Sequence, residues 1–175
     1  GRSAAAAGGE GAGRGGGQAE AEPVELGARP VSVAAAGEAS PPSELRPGDS
    51  IRLNDPFRGG AHLPDLTLVS PICDPAGEEL LAFAANRAHH ADVGGATGGS
   101  VGATATEIDA EGVRIPPVRF EIGGGRTTGP DGAPAVDNAV NESVLELLLA
   151  NVRTPEERRG DLRACGRSRA EVRAR

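Results

Sequence analysis

From Ser50 to Asn54 the chain alternates polar and apolar residues (Ser-Ile-Arg-Leu-Asn), the period-two pattern of a strand with one buried face. Leu66-Thr67-Leu68-Val69 and Leu80-Leu81-Ala82-Phe83 predict two further strands, and Asp74-Pro75-Ala76-Gly77 has the chemistry of a hairpin turn between them. Nearer the C-terminus the period becomes helical. Leu145, Leu148, Leu149 and Val152 share one face behind Ser143-Val144-Leu145-Glu146, which reads as a capping box. Thr154-Pro155-Glu156-Glu157 predicts a second helix start, with proline at the first helical position.

Other stretches carry no such period. Residues 1–18 are almost all Gly and Ala, cannot bury enough apolar surface to offset their ordering entropy, and predict a disordered N-terminal tail. Pro41, Pro42 and Pro47-Gly48 bracket a loop, and residues 93–104 read as a flexible loop of Gly, Ser, Thr and Ala. Gly123–Asp137 reads as a second low-complexity insertion. The fold class expected is α+β: an antiparallel β-rich core with C-terminal helices, in one domain over residues 19–164, followed by a basic tail over 165–175.

Composition narrows the function. With 38% hydrophobic residues, three Phe and no Trp or Tyr, 175 residues make one ordinary domain with a thin aliphatic core. A net charge of −7, with basic residues concentrated only from Arg153 onward, argues against nucleic acid as a partner. The absence of lysine excludes a Schiff-base or Walker A lysine. Cys73 and Cys165 form no CxxC pair and suit a reduced cytoplasm. No apolar run is long enough to span a membrane, and no secretory h-region stands at the N-terminus.

All three histidines of the chain fall in two short clusters beside aspartates: His62-Leu63-Pro64-Asp65 and His89-His90-Ala91-Asp92. His62 and Asp65 enter the first strand of the predicted hairpin, and His89 leaves the second. Antiparallel pairing brings those two ends together. Imidazoles plus a carboxylate suit a divalent ion such as Zn²⁺, Mn²⁺ or Fe²⁺, with His62, Asp65 and either His89 or His90 as ligands. Glu107 and Glu111 follow the glycine-rich loop and are candidates for a general base. Gly94–Ser100 is either a phosphate cradle or, the simpler reading, a mobile lid. Asn54, Asp55 and Arg58 are site candidates or turn formers, and Cys73 is a packing residue.

The run Arg46–Thr67, centred on Asn54-Asp55-Pro56-Phe57-Arg58-Gly59-Gly60-Ala61-His62-Leu63-Pro64-Asp65, resembles a signature of the hydantoinase B/oxoprolinase family. So does Asn86-Arg87-Ala88-His89-His90-Ala91-Asp92-Val93-Gly94-Gly95. Ala105–Ile108, Glu111–Pro117 and Pro155–Ala164 continue the pattern in the family's order. The resemblance implies a metal-dependent hydrolase component acting on ATP-activated cyclic amides such as hydantoins or 5-oxoproline. It implies a divalent metal, Zn or Mn, on His62, Asp65 and His89, with His90 as the alternative. It also implies a hydantoinase A-type partner subunit that binds the ATP. The alternative within the same family is a subunit of an acetone- or acetophenone-type carboxylase. The family's N-terminal ligand-bearing region has no counterpart here, and the family's His-Leu-Gly appears as Glu25-Leu26-Gly27. Ala61 stands in place of a usual Thr, and the helix after Ala164 departs from the family's pattern. These departures suggest a fragment that is inactive alone.

Overall fold

The computed structural model describes residues 31–173, apart from 75, 101, 129–131 and 133. The expected tail over 1–18 lies outside the described residues, as do the side chains of 165–175. Five strands are described: β1 (Ser50–Leu53), β2 (Asp65–Cys73), β3 (Leu80–His89), β4 (Val118–Thr128) and β5 (Pro134–Val140). They form one antiparallel sheet in the order β3-β2-β1-β4-β5. Three α-helices are described with them: α1 (Val31–Ala39), α2 (Glu142–Leu149) and α3 (Pro155–Arg173). The α+β class and the C-terminal helices are as the sequence predicts.

All four residues of β1 are buried, because the sheet is covered on both faces at its centre. On one face Ile51, Leu53 and Val69 pack with Val33 and Ala36 of α1 and with Leu45. On the other, Leu66 and Phe120 pack with Leu145, Leu148 and Leu149 of α2 and Leu162 of α3. Arg52 alternates onto this second face. Its guanidinium lies 4.1 Å from the centroid of the Phe120 ring and donates through Nη2 to the Leu162 carbonyl. It therefore ties α3 to the central strand.

Three local expectations need correction. Most of Gly123–Asp137 belongs to β4 and β5, with a register shift between Gly123 and Gly125. The glycines there serve close packing. A Cβ on Gly123 would run into the Pro47 carbonyl, and Gly123 N–H donates to Asp49 Oδ1 at 2.7 Å. Next, α2 is capped by Asn141, whose Oδ1 accepts from Val144 N–H at 3.4 Å, so the helix begins before Ser143. Lastly, α1 has no counterpart among the predicted elements. Its sequence is rich in Ala and holds one Gly, and Ser32, Val33 and Ala36 form a buried stripe one turn long. Gly37 sits inside this helix, and a Cβ there would meet nothing within 4 Å. Gly37→Ala is expected to raise stability by about 0.5–1 kcal/mol, read as a higher denaturation midpoint at unchanged slope.

A candidate metal centre at the open end of the hairpin

The segment entering β2 is fixed from below by Asn54 and Asp55. Asp55 caps the turn Pro56–Arg58, its side chain accepting from Phe57 N–H at 3.0 Å. Gly59 leaves that turn in the left-handed region at φ 90°, and Gly60 N–H donates back to the Asp55 carbonyl at 2.8 Å. Asn54 is fully buried. Its Nδ2 donates to the carbonyls of Leu63 (2.7 Å) and Val113 (2.9 Å), and its Oδ1 accepts from Ile115 N–H at 2.6 Å. Of the earlier site candidates, Asn54 and Asp55 therefore shape the backbone, and Arg58 is exposed.

One turn later His62 and Asp65 face outward. Asp65 N–H donates to the His62 carbonyl at 2.9 Å, which holds the two residues in a tight turn. In the sheet register Asp65 stands directly opposite His89. The result is a cluster of three side chains. His89 Nδ1 lies 3.0 Å from Asp65 Oδ1, His62 Nδ1 lies 3.8 Å from Asp65 Oδ2, and the imidazoles stack with centroids 5.5 Å apart. Each residue can offer one ligand atom such that all lie within 4.8 Å of one another.

This donor set fits a borderline divalent ion. A tetrahedral ion with bonds of about 2.1 Å has ligand atoms about 3.4 Å apart, so the widest pair must close by at most about 1.4 Å. The imidazoles of His62 and His89 are 40% and 58% exposed, which leaves them free to do so and leaves a side open to solvent.

His90 stands apart from this group, as strand alternation requires. It is buried, its N–H donates to the Pro64 carbonyl at 2.8 Å, and its ring lines the interior with Arg158. Burial, reinforced by the charges of Arg52 and Arg158, lowers its pKa to about 4 and keeps it neutral. Glu107 and Glu111 flank a short turn at Ile108–Ala110, the first exposed and the second half-buried, and neither belongs to the cluster.

The glycine-rich loop after His90 is more tied down than a free lid. Ser100 Oγ, buried, accepts from Val93 N–H at 2.8 Å and donates to the Gly94 carbonyl at 2.9 Å. Arg153 reaches from the α2–α3 connection to the carbonyls of Gly95 and Thr97 and pairs with Asp92 at 2.9 Å. Burial pushes the Asp92 carboxyl up, but hydrogen bonds from Arg153 and from Gly94 N–H outweigh it, and the net pKa lies below the ordinary 3.8. A depressed folded pKa contributes stability that is present above pH 3.8 and lost as pH falls through the folded value. Asp92→Asn is expected to cost about 1–2 kcal/mol at neutral pH, and its melting-temperature gap to the parent chain should shrink in acid. A gap constant from pH 7 to pH 2, measured by scanning calorimetry, would exclude this role.

Two residues of α3, inside the Pro155–Ala164 stretch but without a role read from sequence, complete the surroundings. Beside His89 and His90 a cavity of about 400 Å³ opens toward α3, where Arg158 and Asp161 form its wall.

A family model described as hydantoinase B/oxoprolinase matches residues 7–170. The caprolactamase subunit beta of Pseudomonas jessenii is 34% identical over 121 residues, covering 69% of this chain and 18% of that protein. The 5-oxoprolinase of Saccharomyces cerevisiae is 41% identical over 93 residues, covering 53% of this chain and 7% of that protein. The crystal structure of the ATP-dependent caprolactamase from Pseudomonas jessenii superposes with a TM-score of 0.58 at 30% identity, over 77% of this chain and 21% of that one. An uncharacterized protein of Methanocaldococcus jannaschii, 37% identical, is spanned to 19% of its length by this chain.

Proposed function

The chain belongs to the hydantoinase B/oxoprolinase family, and from that premise we propose that it is the metal-holding core of a B-type component that opens activated cyclic amides. Relatives named for 5-oxoproline and caprolactam hydrolysis supply the substrate class, and one of them is described as ATP-dependent. The observation that carries the reading is the meeting of His62, Asp65 and His89 within 4.8 Å at a solvent-open sheet end. A divalent ion bound there would lower the pKa of water and polarise the amide oxygen.

The rest is the work of the chain's own residues. His62 and His89 would offer ring nitrogens. Asp65 would offer a carboxylate oxygen as the third ligand, and it also orients His89 through the 3.0 Å contact to its Nδ1. Glu107 or Glu111 is proposed as proton acceptor, each within the segment that follows the glycine-rich loop. The ATP is assigned to a hydantoinase A-type partner subunit, which accords with a chain that has no lysine to grip a nucleotide phosphate. Because the chain spans 6–19% of the length of relatives it matches, turnover is assigned to the whole assembly.

Calorimetric titration of the chelator-stripped chain with Zn²⁺ and Mn²⁺ tests the reading. One tight site is expected, weakened roughly 100-fold or more in both His62→Ala and His89→Ala, beyond the usual effect of losing an outer hydrogen-bond partner. Binding that ignores both substitutions, or no site at all, would sink it.

A further inference from the structure

Arg87 is exposed, yet two buried hydroxyls hold its guanidinium in place. Nε donates to Thr67 Oγ1 at 3.0 Å, and Nη2 donates to Ser32 Oγ at 3.3 Å. Thr67 is 3% and Ser32 6% exposed. Ser32 Oγ gives its own proton to the Gly59 carbonyl at 2.8 Å, which leaves it only lone pairs to offer Arg87. Three elements thus converge on one side chain: α1, β2 and the turn that leads to His62. Both holding groups are neutral, so the positive charge is oriented without being cancelled. Arg114, Arg119, Arg153, Arg158 and Arg159 each lie within 4.0 Å of a carboxylate, whereas Arg87 has no such partner among the described residues.

The place of Arg87 in the sheet gives this charge a use. Thr67 pairs with Arg87 and Asp65 with His89, so the two pairs form successive rows on one face of the β2–β3 hairpin. Rows two residues apart are separated by about 7 Å, and one small molecule can touch both. Asp65 does not neutralise Arg87, because its oxygens turn to His62 and His89. Nε and Nη2 use one edge of the guanidinium on the hydroxyls. The end edge, made of Nη1 and the second Nη2 hydrogen, meets no acceptor among the described residues.

We infer that Arg87 is the anion-holding residue of the site, its end edge gripping a phosphoryl or carboxylate group of a ligand whose amide lies at the His62, Asp65 and His89 row. Both groups present paired oxygens to parallel N–H donors. An amide activated by ATP brings a phosphoryl group whatever its ring, and a carboxylate comes only with rings that carry one, such as 5-oxoproline. What the anion is attached to rests on the amide-hydrolase reading; the anion-holding role does not.

The test is carried out on the full chain in the presence of a chelator. Inorganic phosphate and acetate are titrated in turn, with binding followed by NMR shifts of the backbone N–H signals of β3. Saturable binding of at least one ion is expected, and the tighter of the two identifies the group as phosphoryl or carboxylate. Arg87→Gln should weaken it roughly tenfold or more. Arg87→Lys, which keeps the charge and loses the fork, should fall between Arg87→Gln and the parent. Thr67→Val, which frees the guanidinium without removing it, should weaken binding roughly threefold. A side chain that merely tied α1 to the sheet would behave otherwise: Arg87→Gln would melt lower and bind the ion as the parent does. That result, or a parent chain that binds neither ion, overturns the anion-holding role. If Arg87→Gln does not fold, Arg87→Lys and Thr67→Val decide the question, and unchanged affinity in both overturns it equally. A chain that binds the anion but no metal refutes the metal reading alone; metal without anion refutes the role of Arg87 alone.

Discussion

Asn54→Ala is expected to destabilise the chain by about 4 kcal/mol, near the upper end of single substitutions. The side chain satisfies three backbone groups, the buried carbonyl of Leu63, the part-buried carbonyl of Val113 and the buried N–H of Ile115. Truncation leaves all of them without a partner, in a place water reaches poorly, and each such loss costs about 1–3 kcal/mol before relaxation. The two ends of this bridge lie far apart in sequence: Leu63 begins the approach to β2, whereas Val113 and Ile115 precede β4. The effect should therefore extend to the candidate metal centre. His62 is held one residue from a carbonyl that Asn54 grips, so a variant that still folds should also bind Zn²⁺ more weakly. Urea unfolding and metal titration on one sample separate the two effects. A loss under about 1 kcal/mol would show that water or relaxation replaces the side chain.

That role explains why part of the site was legible in the sequence and part was not. The meeting of His62, Asp65 and His89 follows from local pattern: two strands, one turn, and antiparallel pairing that returns the chain to its starting end. The structure sets Asp65 opposite His89 as that logic requires, and His90, the first residue past β3, turns inward. Asn54 looked like a turn residue, because Asn-Asp-Pro is turn chemistry and its true partners lie up to 61 residues away. Arg158 and Asp161 lie in the Pro155–Ala164 stretch that carries part of the resemblance, but no role for either follows from its spacing. Their proximity to His90 depends on how α3 lies across β2 and β3, which no local pattern records.

Glycine misled in the opposite direction. Gly123, Gly124 and Gly125 resemble a flexible insertion by composition, but a Cβ at Gly123 would overlap the Pro47 backbone, and one at Gly124 would crowd the Asp137 side chain. Composition registers the absence of a side chain and cannot say whether entropy or close packing demanded it. The same ambiguity hid α1, whose Ala-rich turn buries Ala36 completely against the sheet.

Gly60→Ala should separate those two meanings of glycine in one experiment, with Gly98→Ala as its control. An added Cβ at Gly60 would overlap the Asn54 carbonyl group and crowd the Asp55 backbone, and none of these atoms belongs to a flexible side chain. The only relief is for the 59–62 segment to lift away from β1, which breaks the Gly60 N–H bond to the Asp55 carbonyl and loosens the grip of Asn54 on Leu63. A loss of about 4 kcal/mol or more is expected, enough to abolish a cooperative transition in a domain of ordinary stability. Gly98 has nothing within 4 Å of its would-be Cβ, so the same methyl there should change stability by less than about 0.5 kcal/mol. Parallel thermal melts decide the matter. Equal melting temperatures for both variants would mean that the turn carrying His62 is held less tightly than its hydrogen bonds indicate, and the candidate metal centre would lose its rigid support.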